Sequence, residues 1–539
     1  VADDPDPAQQ LDLTSQSLAL HLTRDADGNP QPTRLAAQGS PAQPVVALQP
    51  TTTFRSHQLT LDLAPAPEVT AANPTRGSGT SVPVPPTSDS TETNIQITRL
   101  RALGDVRVNL TEPGNEAILT AHALDADPRV NRLALFGQDE NHFATLTRSD
   151  AALAGVHLVL LENEQSAHAL GPGTFSAAVD PDDPEARLNV TWQTSMDFDN
   201  AAGTALFLGR VDAASTSAVD DTSLTNAHRL ALEFVPQDFD TSNSDAPDTR
   251  NASGEISGDI SGGVPGGALD IRRVTATSDP DDADQQVQFT AQTFDENAEP
   301  NARPLTRLTL ISTDLRFINQ PPNLTNRTTI DDHITVEQVR VPTRGRLLLE
   351  DYRSPPADDS DVSDDGPVNL AGRGVTVFAW EKQLLLDAQA NDLRLEGDVF
   401  MLHRPPPGSA PENGRGEDGL PEVAGVDGEP VKLDAQRLVA DLTETGGLGA
   451  YLAGDAPRAQ VRRINADGRV RVARADASIV ADHLEYDESK RQAEFWAEPR
   501  RAVELTQDRT TTTARRFTWD LDTNRFTALD PTPGVVPVE

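Results

Sequence analysis

Apolar residues alternate with polar ones through much of this chain, and a two-residue period belongs to a strand rather than a helix. Leu59, Leu61 and Leu63 set the pattern. Val106, Val108 and Leu110 repeat it, as do Leu230, Leu232 and Phe234, and later Val470 and Val472. In a strand such residues share one face while the intervening polar residues share the other. Turn sequences sit between the runs: Asp27-Gly28-Asn29, Pro113-Gly114-Asn115 and Asp467-Gly468. Glycine accepts the positive φ of a tight reversal, so Asp-Gly flanked by alternating runs reads as a hairpin. No long segment carries a 3.6-residue period. The pattern predicts an all-β protein with more strand than the ~20–25% of ordinary soluble domains.

A chain of 539 residues exceeds one ordinary core. Length alone suggests about three or four domains, although stacked repeats that share an elongated core relax that count. Three stretches read as linkers or insertions: 66–95, rich in Pro, Ser and Thr; 236–269, rich in Gly, Ser and Asp; and 404–430, rich in Pro and Gly. Such compositions bury too little apolar surface to offset backbone ordering. A shorter Asp-rich insertion covers 357–366. The ordered blocks are then 1–65, 96–235, 270–403 and 431–530, with a tail at 531–539.

The formal net charge of -39 repels phosphate backbones, so nucleic acid is not an expected partner. Its plain reading is solubility, including at high salt. The absence of cysteine excludes disulfides, thiolate catalysis, zinc–thiolate sites and a cysteine-linked lipid anchor on the chain as given. No run approaches the ~18 apolar residues of a membrane-spanning helix. The start, Val1-Ala2-Asp3-Asp4, reads as a mature or trimmed end.

The blocks share a loose repeat. Near the C-terminus it runs Ala466-Asp467-Gly468-Arg469-Val470-Arg471-Val472, then Ala481-Asp482-His483-Leu484-Glu485-Tyr486-Asp487. A turn at Glu488-Ser489-Lys490 leads to Ala493-Glu494-Phe495-Trp496, and Thr513 to Asp520 forms the next unit. Earlier, Ala102-Leu103-Gly104-Asp105-Val106-Arg107-Val108 precedes Thr120-Ala121-His122-Ala123-Leu124 and Leu133-Ala134-Leu135-Phe136-Gly137. Residues 205–211 and 395–401 repeat the Gly-x-Val element. A hairpin-sized unit with one apolar face cannot bury it alone, and stacking such units does so. Glycine at a recurrent position permits a bulge that bends the sheet.

The pattern A-x-G-x-V, A-x-x-L-x-Y-D, turn, strand resembles the OstA/LptA-like family of lipopolysaccharide transport proteins. Segment 464–528 carries the best match and 100–175 the next. Segments 35–63 and 205–235 match less closely, and 310–403 less closely still. The resemblance implies an open, V-shaped β-jellyroll (a stacked antiparallel "taco") whose apolar groove passes acyl chains between two membranes. It also implies residence in the periplasm or cell envelope and end-to-end pairing of edge strands with other envelope transport proteins. This chain is larger than the short bridging members and carries long polar insertions. Lipopolysaccharide or another acyl lipid is the implied ligand. The candidate groove residues are Val106, Val108, Leu119, Leu124 and Leu135 in the earlier units. In the C-terminal ones they are Val470, Val472, Ile479, Leu484, Tyr486, Phe495, Phe517 and Trp519.

Catalytic signatures are missing: there is no H-E-x-x-H, no P-loop and no convincing dinucleotide-binding turn. The Gly-Ser segment 253–263 does not place a serine on a nucleophile elbow. Asp358, Asp359, Asp361, Asp364 and Asp365 lack the EF-hand order and its closing Glu, so a solvated loop is the plain reading against calcium. His122, His228 and His483 read as strand-face residues, and Glu350-Asp351-Tyr352-Arg353 as a surface ion pair. The tryptophans Trp380, Trp496 and Trp519, each beside a Phe, read as inward-facing core or groove lining. The sequence therefore predicts a non-enzymatic protein with no cofactor and no metal. The rivals are a structural or adhesive β-solenoid, separated by whether the apolar stripe is sealed or open, and a carbohydrate-active β-helix enzyme, which needs clustered carboxylates in a cleft.

Overall fold

The computed structural model describes residues 12–25, 28–65, 95–111, 116–148, 151–178, 186–216, 220–234, 271–282, 284–294, 303–318, 338–352, 374–387, 390–404, 430–442, 461–474, 477–507, 509–521, 523 and 525–531. Among these residues the regular structure is strand, with three short 3-10 turns and no α-helix. The first strands are β1 (Asp12–Thr14), β2 (Ser17–Arg24), β3 (Pro30–Gln38), β4 (Val45–Leu48), β5 (Thr52–Ser56), β6 (Gln58–Pro65), β7 (Ile95–Leu110), β8 (Ala117–Asp127), β9 (Arg132–Phe136), β10 (Ala144–Arg148), β11 (Ala151–Leu161) and β12 (Ser166–Ala178). Next come β13 (Arg187–Trp192), β14 (Ser195–Asp199), β15 (Thr204–Thr216), β16 (Asp220–Phe234), β17 (Ile271–Thr277), β18 (Val287–Thr293), β19 (Thr306–Ser312), β20 (Asp314–Ile318), β21 (Gln338–Val341) and β22 (Gly345–Asp351). The remainder are β23 (Gly374–Trp380), β24 (Gln383–Asp387), β25 (Asp392–Arg404), β26 (Val431–Leu442), β27 (Val461–Ala473), β28 (Ala477–Asp487), β29 (Gln492–Trp496), β30 (Val503–Gln507), β31 (Thr510–Asp520) and β32 (Arg525–Pro531). Two compact units result, one holding β1–β12 with β14, the other β13 and β15–β32.

Each unit is built of rungs, a rung being one pass of the chain across two half-sheets. A long strand makes a rung alone. The first part of β7 pairs with β6 and its last part with β5. A short pair makes a rung together: β9 joins the second part of β8 in one half-sheet, and β10 joins its first part in the other. In the second unit four such split rungs lie between the long strands β16 and β25. The pairings then close a circuit of ten antiparallel strands, β16–β17–β20–β21–β24–β25–β23–β22–β19–β18. The all-β, stacked antiparallel architecture expected from the alternation is therefore present.

The bends explain the repeated glycine. In β7 the register with β8 shifts between Leu103 and Val106, and Gly104 and Asp105 both take positive φ, 76° and 45°. In β27 the shift lies between Asp467 and Val470, with Gly468 at 80° and Arg469 at 51°. A Cβ on Gly468 would stand 2.6 Å from Gln436 Oε1, so both the dihedral and the space call for glycine. The pairs Gly209-Arg210 and Gly397-Asp398 bend β15 and β25 in the same way.

The aspartate that closes the repeat has its own task. Asp487 Oδ1 accepts the N–H of Ser489 at 3.1 Å, capping the 3-10 turn that carries the chain into β29. Asp127 does the same for Arg129 after β8. In each case the turn ends on a left-handed residue, Arg491 or Asn131. Hydrogen bonds from Ser489 and from Lys490 hold the Asp487 carboxyl at about 2, below its ordinary range.

The polar stretches interrupt hairpins rather than the array. Pro65 pairs with Ile95, Phe234 with Ile271, Asp351 with Gly374 and His403 with Val431. The chain thus leaves and re-enters the sheet at neighbouring strands across 66–94, 235–270, 353–373 and 405–429. Long connections of this kind add little closure entropy. The segments inside these hairpins, with the acidic run 357–366, the turn Pro113-Gly114-Asn115 and residues 532–539, lie outside the described residues.

Candidate functional site

All thirteen candidate residues lie on the inner faces, each at most 5% exposed. In the first unit Val108 pairs with Leu119 in one half-sheet, and Val106 lies beside them on the same strand. Leu124 pairs with Leu135 in the other half-sheet. In the second unit Val472 pairs with Ile479, and Val470 precedes them. Opposite, Leu484, Phe495 and Phe517 form one cross-strand row. Tyr486, Ala493, Trp519 and Phe526 form the next, with the rings of Trp519 and Phe526 stacked at 5.2 Å.

The two half-sheets face each other closely. A pocket lined by Val472, Ala477 and Ile479 from one side and by Trp519 and Phe526 from the other has a volume of only about 10 Å³, room for about one water. Around this pocket the described side chains pack against one another.

One end of the first unit differs. Every residue of β2 is exposed, and among the described residues β2 has β3 as its sole strand partner. Leu18, Leu20 and Leu22 are 57%, 54% and 55% exposed. They extend inner rows: Leu20 continues Leu35–Leu61–Leu100, and Leu18 continues Ala37–Leu59–Ala102. Within two rungs the same rows are buried. The outer surface of this unit is a ladder of charges. Arg34 meets Asp62 at 2.9 Å, Arg101 meets Asp62 at 3.6 Å, and Arg99 meets Asp125 at 2.5 Å. The Arg99 hydrogen bond lowers the Asp125 carboxyl.

Several side chains stand elsewhere than the sequence suggested. Trp380 and Trp519 face inward, but Trp496 lies on the opposite face to Phe495 and stacks on His483 at 5.3 Å. Neighbouring residues of a strand point to opposite faces, so Phe495 and Trp496 could not share one. Glu350 is buried rather than superficial: it accepts the Tyr352 hydroxyl at 2.7 Å and faces Arg307 at 3.4 Å. Burial and that carboxylate push the Tyr352 hydroxyl up to about 12.

The sequence offered no signal for His403. It is fully buried on β25, with Nδ1 2.8 Å from Thr376 Oγ1 and no partner at Nε2 among the described residues. Burial drives its pKa down to about 4, so it stays neutral inside the sheet. Among the described residues no group of three His, Asp or Glu side chains is arranged to hold a metal ion. Set against protein-family models the chain matches none, and no curated protein matches it.

Proposed function

We propose that the protein is a non-catalytic envelope component that holds acyl chains of a lipopolysaccharide-type or similar lipid along its apolar inner face. It continues that face into a partner at its N-terminal rung. The observation that carries this reading is the uncovered β2. Three leucines of the inner rows, Leu18, Leu20 and Leu22, are exposed there. An apolar edge with unpaired backbone groups is a template for strand addition. The partner is thus another strand-rich envelope protein, and the setting is the periplasm or cell envelope. An acyl chain entering from that mouth parts the half-sheets and replaces side-chain contacts, gaining about 0.8 kcal/mol for each buried CH₂. The outward carboxylates disfavour anionic head groups near the rim.

A second reading has its own support. The packed interior at the C-terminal end suits a structural solenoid through which no lipid passes. Mass spectrometry of lipid retained by protein purified without detergent separates the two. Stoichiometric acyl lipid supports the first reading. Protein that carries none, and takes up none from added vesicles, leaves the scaffold.

A further inference from the structure

His483 has a carboxylate at each ring nitrogen. Nδ1 lies 2.8 Å from Asp467 Oδ1, and Nε2 lies 3.1 Å from Glu498 Oε1. A neutral imidazole has one N–H and one lone pair, so it can donate to only one of these and sets its lone pair against the other. The imidazolium donates to both, in charge-assisted bonds. The geometry is that of the cation.

The three residues belong to successive rungs. Asp467 adjoins Gly468 at the bend of β27, His483 lies where β28 crosses between half-sheets, and Glu498 sits in the corner between β29 and β30. The neighbouring Asp482 and Arg501 are engaged with each other. Asp482, on β28 itself, accepts Arg501 Nη1 and the backbone N–H of Glu498, each at 2.8 Å. Trp496 of β29 stacks on the imidazole, with the Arg516 guanidinium of β31 6.0 Å from the Trp496 ring centre.

We propose that His483 is a proton-operated clamp on the C-terminal bend: charged, it ties the β27 bend to the β29–β30 corner across β28, and on losing its proton it releases that corner. The Asp467 hydrogen bond above all, and then that from Glu498, hold the imidazole above its ordinary pKa against partial burial. The clamp is therefore complete below pH ~6.5, where an unfolded histidine is also charged, and is lost as pH rises through the raised value. Other bends differ in kind. His57 Nε2 meets Asp105 at 3.3 Å and His228 Nδ1 meets Asp279 at 3.5 Å, single contacts that a neutral ring can satisfy.

The test is native-state amide exchange of the full chain at pH 5.5 and 8.5, corrected for intrinsic rates and read at the Glu498 and Arg501 amides. The Arg501 amide donates to the Glu498 carbonyl at 3.0 Å. Protection should fall about threefold at the higher pH, the size of a partly exposed ion pair. In His483→Gln it should be the same at both. Glu498→Gln, which keeps the corner's backbone bonds, should lower the His483 titration midpoint read from its imidazole resonances. Unchanged protection in the unmodified chain, an undiminished pH effect in His483→Gln, or an unmoved midpoint in Glu498→Gln would overturn the proposal.

Discussion

Strands β2 and β28 are written in the same alternating pattern and meet opposite fates. Leu18, Leu20 and Leu22 of β2 are more than half exposed, while Ile479, Leu484 and Tyr486 of β28 are buried. The difference lies in their neighbours. β28 has β27 on one side and both β29 and β30 on the other, whereas among the described residues β2 has β3 alone. Alternation decides which face a residue joins. Whether that face is dry depends on the next rung and on the half-sheet opposite, neither of which is local.

The largest expected effect sharpens this contrast. Phe495→Ala removes a ring buried in the Leu484–Phe495–Phe517 row and should cost about 3–5 kcal/mol. Leu20→Ala should change stability by no more than about 0.5 kcal/mol, as at an ordinary surface position. Denaturant unfolding of both variants checks the pair. A Leu20 variant as damaged as the Phe495 one would mean that β2 is covered in solution, and the comparison would fail.

His403 reports on the dryness of a covered interior. Its folded pKa of about 4 lies below the ordinary histidine value, so the unfolded chain binds the extra proton between the two. The stability held by neutral burial is present above pH ~6.5 and is lost as pH falls toward 4, amounting to about 3 kcal/mol. His403→Gln should flatten that part of the stability–pH curve of the second unit. An equal slope in the variant would place the proton uptake elsewhere.

The difference between two glycines is the smallest contrast. Gly28, in the β2–β3 hairpin, has a φ of 87° and nothing within 4 Å of a Cβ, so Gly28→Ala should cost only the left-handed backbone term, about 1–2 kcal/mol. Gly468→Ala should cost more, because its Cβ also meets Gln436. Thermal unfolding of the two variants checks the order, and equal costs would mean that the bend tolerates a side chain.

Much of this fold was legible because its signals are local. Period-2 alternation named the strands, but Asp467-Gly468, read as a hairpin turn, instead bends the single strand β27, because its bulge keeps the chain running in one direction. The run from Ala481 to Asp487 announced both a strand and, through its last residue, a turn. The inner face was legible for the same reason, since parity along a strand assigns faces. Long-range facts were not. Nothing near Leu20 says that its face stays uncovered among the described residues, and nothing near His483 says that Asp467 and Glu498 converge on it from the neighbouring strand and corner. Adjacent aromatics misled at Phe495 and Trp496, where composition suggested one cluster and parity divides it. The polar stretches read as linkers or insertions, because composition marks where a chain leaves a sheet but not where it returns.

The proposal that the apolar inner faces hold acyl chains is tested most directly by site-specific photo-crosslinking in the presence of acyl-lipid vesicles. Probes at Leu20 and Phe517 should capture lipid, and probes at the outward Arg471 and Asp520 should not. Equal labelling at all four positions, or labelling at none, would contradict it.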